Sequence, residues 1–238
     1  MTSCSKMSWC LAMQNHCANK GVHMNIGVLG TGMVGQTIGS KLVHLGHTVM
    51  MGSREEANPK AVIWTKQEGQ RALFGTFADA AAFGEIIFNC TLGTASLDAL
   101  HRAGAGNMKG KILIDTSNPI DYSNEIWTLT VCNTDSLGEQ IQRAFPDTRV
   151  VKSLNTMNCD VMVDPNKLLE KSDVFVSGNS ADAKATVIKI LHDWFGWRSM
   201  IDLGDITTSR GVEMYVVLWR NLRLATSSQR FNIKVIRS

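Results

Sequence analysis

Three glycines, Gly30, Gly32 and Gly35, stand in the spacing G-x-G-x-x-G within "MNIGVLGTGMVGQTIGSKLVHLGHTVMMGSR". That spacing suits one kind of chemistry. The first glycine permits a tight turn, the second lets a pyrophosphate approach the backbone, and the third lets a helix pack closely on the strand before it. The N–H groups and dipole at the start of the following helix favour negative charge. With Thr31, Met33 and Val34 between them, these residues read as a dinucleotide-binding turn.

The next β run ends in "GSR", and its last residues choose between dinucleotides. An NAD site usually places an acid there for the ribose hydroxyls. Here Ser53 can donate to a 2′-phosphate and Arg54 can oppose its charge, where a carboxylate would repel it. NADP is the expected cofactor; the alternative makes Arg54 a solvated charge and gives the ribose to Glu55 or Glu56.

Ligands of doubly wound sheets bind outside the carboxyl ends of the strands. The segments "NCTLGTAS" and "DTSNPID" fall at such ends, so Thr91, Leu92, Asn118 and Pro119 are candidates for the ribose and nicotinamide. Asn89 and Cys90 read as strand residues, Thr116 and Ser117 as turn formers.

No general acid or base accompanies these residues. Neither Tyr122 nor Tyr215 has a lysine four residues later, "RGVEMYVVLWRNL" carries none at helical spacing, and His16, His23, His44, His47, His101 and His192 read as surface groups. A ketone reduction would want a proton donor. Hydride exchange between two redox rings would not, because the cofactors carry that chemistry and the protein orients them.

The elements that must position these groups follow from the pattern. Short β-rich runs alternate with helical ones from Met24 onward, which predicts an α/β fold: a Rossmann doubly wound parallel sheet covered by helices. "MNIGVL", "HTVMM", "LFGTF", "EIIFNCT", "GKILIDTSNP", "TRVVKSLN", "DVFVSG" and "RSMIDLG" are the strands, with "FNIKVI" a closing one. Ser136 and Glu139 have the spacing of a capping box at a helix start. Residues 24–155 form the NADP-binding Rossmann domain, and 156–238 a smaller C-terminal α/β part joined at a soft boundary.

Of the 238 residues, 44% are hydrophobic and 19% charged, enough apolar content for a sizeable core. A net charge of +3 with interspersed signs gives no basic stripe, so neither nucleic acid nor a membrane surface is expected as a partner. No run reaches the roughly 20 apolar residues of a membrane span. Cys4, Cys10, Cys17, Cys90, Cys132 and Cys159 lack metal-ligand spacing, so we expect no metal, reduced thiols and a cytoplasmic location. Residues 1–23 read as a disordered extension that leaves cofactor affinity alone. The apolar "MYVVLW" of the long C-terminal helix could face a twin subunit in a homodimer, or the core.

The chain resembles the NADP-dependent oxidoreductases of coenzyme F420. The likeness runs over about Met24 to Arg237 and is carried by the glycine-rich segment and, more specifically, by "VVKSLNTMN", "LGDITTSRGVEM" and "FNIKV" in that order. It extends to the NADPH-binding domain of the membrane ferric reductases. The resemblance implies a Rossmann domain with a smaller part closing over the nicotinamide, and hydride transfer between NADP and a deazaflavin without an obligatory protein acid. It further implies that Thr31, Ser53 and Arg54 bind the adenosine phosphates, and that Asn155 and Thr156 line the pocket where a second ring, coenzyme F420 or a flavin, stacks. Where the family has a more apolar, glycine-containing segment before the last strand, this chain has "RNLRLATSSQR". Two other functions fit the same residues: an NADPH-dependent reductase of a small carbonyl or imine, and a non-catalytic NADPH-sensing module.

Overall fold

Strands buried on both faces are mostly apolar, and the central runs of this chain are apolar up to their carboxyl ends, where Asn89, Asp115 and Lys152 sit buried. The computed structural model describes residues 23–123 and 125–238; the readings for residues 1–22, Cys4, Cys10, His16 and Cys17 included, lie outside them. In chain order the elements are β1 (Asn25–Leu29), α1 (Met33–His44), β2 (Thr48–Ser53), α2 (Pro59–Glu68), β3 (Ala72–Thr76), α3 (Phe77–Phe83), β4 (Ile86–Asn89), α4 (Ser96–Ala103), α5 (Ala105–Met108) and β5 (Ile112–Asp115). There follow β6 (Ile120–Asp121), β7 (Thr128–Leu129), α6 (Leu137–Ala144), β8 (Arg149–Ser153), α7 (Cys159–Met162), β9 (Val174–Ser177), α8 (Ala181–Asp193), β10 (Met200–Gly204) and α9 (Ser209–Thr226).

Eight strands form one sheet in the order β10-β9-β8-β5-β4-β1-β2-β3. All neighbours run parallel except β8 and β9, which pair antiparallel through Lys152 and Ser177. The residues beyond Asn155 thus extend the same sheet by two strands. The order reverses beside β1, which pairs with both β2 and β4, and a crevice opens there at the carboxyl ends.

Each face has its own core. On one, Ile38, Leu42, Trp64, Val161, Val187 and Phe195 from α1, α2, α7, α8 and the turn after α8 cover the sheet. On the other, Ala80, Leu100, Met108, Ile141 and Ile206 do so from α3, α4, α5, α6 and the turn before α9. Each fully buried aliphatic side chain contributes about 1.5–3 kcal/mol. No helix of the described residues is long and apolar enough to cross a membrane.

Three expectations are corrected. "FNIKVI" is not a strand: it is held beside the start of β9, where Asp173 N–H donates to Ile233 O, the Asp173 carbonyl and Oδ2 accept from Asn232 Nδ2 and Val235 N, and Ser172 Oγ accepts from Asn232 Nδ2. His47 is not a surface group, being 3% exposed under the Trp194 ring. At α6, Ser136 Oγ does accept from Glu139 N, but the Glu139 carboxylate accepts from Ser136 Oγ and from Arg210. An arginine from α9 outcompetes the backbone donor that a capping box would supply.

Candidate functional site

The turn after β1 is shaped by its glycines. Gly30 has φ +114°, and a Cβ there would stand 2.6 Å from Cys90 O; a Cβ at Gly35 would stand 2.1 Å from Gly30 O. Both positions exclude a side chain, which brings α1 directly against β1 and β4. A Cβ at Gly32 would meet nothing within 4 Å, so this residue faces open space. Gly32 caps α1 with no side-chain hydrogen bond, and no acid lies in the first turn. The orphan N–H groups of that helix start are left for an anion.

A cleft of about 730 Å³ begins there and runs along the strand ends. Gly30, Thr31, Gly32, Met33, Val34, Ser53 and Arg54 line one half, and Thr91, Leu92, Asn118 and Asn155 line its middle. Gly35 lies beneath the turn, while Pro119 and Thr156 are buried behind the wall. Pro119 instead accepts from Thr130 N at 2.8 Å, which fixes the β6–β7 hairpin. Arg54 is exposed and makes no ion pair or side-chain hydrogen bond among the described residues. The Ser53 hydroxyl bonds with the backbone of Glu55, its N–H at 3.1 Å and its carbonyl. Glu55 and Glu56 are exposed and do not line the cleft.

The middle of the cleft is held by polar side chains at the ends of β4, β5 and β8. Asn89 Nδ2 donates to Asp115 Oδ1 at 2.9 Å, Thr91 Oγ1 donates to Asn89 Oδ1 at 2.6 Å, and Thr116 Oγ1 donates to Asn89 O at 2.9 Å. Cys90, Thr116 and Ser117, read from sequence as strand and turn residues, also line the cleft. Burial pushes the Cys90 thiol up to about 12, so it is inert.

The far half was not legible in the sequence. Tyr122 and Trp127, on the hairpin between β6 and β7, meet edge to face at 5.4 Å and line the cleft with Met157, Met162, Val216 and Trp219. Arg220 Cζ lies 5.7 Å over the Trp127 ring and its guanidinium donates to Glu125 O at 2.6 Å. Trp219 stacks on Phe231 at 5.5 Å, and its buried indole N–H has no partner among the described residues. Arg223 and Gln229, from the segment in which this chain departs from the family pattern, complete that end. The one hint in the sequence was the clustering of aromatics around two short β runs.

The titratable groups on the wall are poorly placed to move a proton. Asp98, its one carboxylate among the described residues, pairs with Arg102 at 2.8 Å. Burial raises the Tyr122 hydroxyl above its ordinary value.

The chain is similar to several known proteins. Residues 25–119 match the family described as NADP oxidoreductase, coenzyme F420-dependent. A crystal structure from Arthrobacter sp. FB24, assigned as an F420-dependent NADP reductase, is 46% identical, with a TM-score of 0.85 over 90% of this chain and 100% of that one. The F420-dependent NADP reductase of Methanothermobacter marburgensis is 25% identical over 228 residues, covering 89% of this chain and 98% of its own. Metalloreductase STEAP3 of Rattus norvegicus is 27% identical over 194 residues, or 79% of this chain; this chain spans 35% of that protein's length. With its glycine turn, its strand order and a relative matched over its full length, the chain belongs to the coenzyme F420-dependent NADP oxidoreductase family.

Proposed function

We propose that the cleft holds NADP(H) along its glycine-rich half and stacks a second redox ring, coenzyme F420 or a flavin, in its aromatic half, with a hydride passing between them. One observation carries this reading: the uncapped start of α1, the Ser53–Arg54 corner and the Tyr122–Trp127–Trp219 cluster line a single continuous cleft. The bound dinucleotide supplies a hydride at its nicotinamide. The chain binds, orients and excludes water.

The residues suit those tasks. Free N–H groups at α1 receive the pyrophosphate, and Arg54, with no partner of its own, faces the 2′-phosphate together with Ser53 once the hydroxyl turns from Glu55. Asn118 and Asn155 fix the wall beside the nicotinamide. Flat apolar rings and the orphan N–H of Trp219 offer a stacking surface with one donor, and Arg223 favours an acceptor carrying an anionic substituent. Free thiols at Cys90, Cys132 and Cys159 fit a reducing cytoplasm. The outward row Met214, Leu218 and Leu222 of α9 suits a second copy of the chain.

The test is NADPH oxidation by purified protein against deazaflavin, flavin and quinone acceptors. Turnover with a ring acceptor supports the reading. Turnover only with small carbonyls or imines would favour that alternative and cast the cleft's Tyr122 as proton donor. Tight NADPH binding without consumption would mark a sensor.

A further inference from the structure

Below the Ser117–Asn118 turn lie three charged side chains that no step above uses. Lys152 is wholly buried, its ammonium 2.6 Å from Asp115 Oδ2 and 2.7 Å from Glu213 Oε1, and it donates to Ser117 O at 2.8 Å. Asp115 Oδ1 accepts from Asn89 Nδ2 at 2.9 Å, Ser117 N at 3.1 Å and Ser117 Oγ at 2.6 Å. Glu213 accepts from Leu137 N at 2.8 Å and Gly138 N at 2.9 Å, in the first turn of α6. Both carboxylates act only as acceptors, the role of ionised acids. Burial alone would lower the Lys152 ammonium, but Asp115 and Glu213 outweigh it and raise it above the ordinary lysine range.

Two carboxylates against one ammonium leave one negative charge uncompensated. The N-terminus of α6 offsets at most about half of it. The next charges outward, Glu139 and Arg210, pair with each other through bonds of 2.8 and 2.5 Å and add no net charge. A buried ion cluster is weak evidence for stability, since apolar residues often serve as well.

The cluster is tied to the middle of the cleft. Ser117 lines the cleft next to Asn118; Asn155, three residues after Lys152, lines it too and donates to the carbonyl of Val212, the neighbour of Glu213. Asp115, Lys152 and Glu213 themselves line no part of it. They stand one residue behind the stretch of wall that the NADP(H) reading gives to the nicotinamide.

We propose that the buried Asp115–Lys152–Glu213 cluster sets the redox-state preference of this site, its net negative charge favouring the oxidised dinucleotide, whose nicotinamide is cationic, over NADPH, whose ring is neutral. The proposal rests on the NADP(H) reading above. The three are positioning residues of a particular kind: they act by their field. A negative field at that place also favours the charge that develops as a hydride leaves.

The experiment is to measure Kd for NADP⁺ and for NADPH by calorimetry on the full chain, in the wild type, Glu213→Gln and Glu213→Asp. Glu213→Gln removes the excess charge and is expected to raise the ratio Kd(NADP⁺)/Kd(NADPH) about fivefold or more, whereas Glu213→Asp keeps the charge while disturbing the contacts and leaves the ratio within about twofold. If Glu213→Gln does not fold, as judged by circular dichroism, Asp115→Asn carries the same expectation. An unchanged ratio in the folded neutral variant, or equal movement in Glu213→Gln and Glu213→Asp, overturns the charge assignment while leaving NADP(H) binding intact. A wild type that binds neither nucleotide overturns the NADP(H) reading, and the proposal with it.

Discussion

Asn118 and Asn155, from the ends of two neighbouring strands, bond to each other in both directions: Asn118 Nδ2 donates to Asn155 O at 2.8 Å, and Asn155 Nδ2 donates to Asn118 Oδ1 at 2.9 Å. Asn155 Nδ2 also reaches Val212 O on α9 at 3.1 Å. One amide thus joins β5, β8 and α9 at the centre of the cleft.

Asn155→Ala leaves Asn118 Oδ1 and Val212 O without that donor, at a cost of about 1–3 kcal/mol. The melting temperature should fall by about 2–10 °C. Turnover should fall by at least about tenfold through misplacement of the reacting ring, with affinity for 2′,5′-ADP, which has no nicotinamide, unchanged. Parallel loss of both would assign Asn155 to general folding.

On the proposed NADP(H) reading, Arg54→Ala removes a charge-assisted contact to the 2′-phosphate. The contact is exposed, so the low end of the usual range applies and NADPH binding should weaken about tenfold, with NADH unaffected. Titration of the two cofactors decides it, and equal weakening would contradict the phosphate assignment.

His47 makes the fold sensitive to mild acid. Burial, then the nearby His23 and Arg71, hold its imidazole below the ordinary value of 6.5. Its Nδ1 accepts from Met24 N at 3.3 Å, which protonation would abolish. The unfolded chain therefore binds the proton more readily, and stability present above about pH 6.5 is lost as pH falls toward the depressed folded value. Thermal unfolding between pH 7.5 and 5 should show this slope, and His47→Gln should flatten it.

Leu218 lies 52% exposed at the middle of the outward row on α9. Light scattering should find a dimer at micromolar concentration, converted to monomer by Leu218→Glu with cofactor affinity retained. A wild-type monomer would leave that face to another role.

Local patterns travelled well from sequence to structure. The glycine spacing, the strand-to-helix alternation and the "GSR" corner each depend on neighbours a few residues apart, whose hydrogen-bond geometry and periodicity are written along the chain. "FNIKVI" failed for the same reason in reverse: its alternation suited a strand, but a strand needs a ladder, and most of its backbone has none. The departing segment "RNLRLATSSQR" mattered through Arg223 and Gln229, whose faces are set by where α9 ends.

The sequence by itself determined the α/β alternation, the glycine-rich turn before α1 and the cationic corner beside it, because these need only short-range sterics, dipoles and charge. Tertiary structure alone decided that Tyr122, Trp127 and Trp219 share a wall, that His47 is buried, and that Lys152 meets Asp115 and Glu213 in the dry interior. Those meetings join residues far apart in the chain, and no local period encodes them. They arise when the packing of α6 and α9 against the sheet ends excludes water, and the groups shut inside must then satisfy one another.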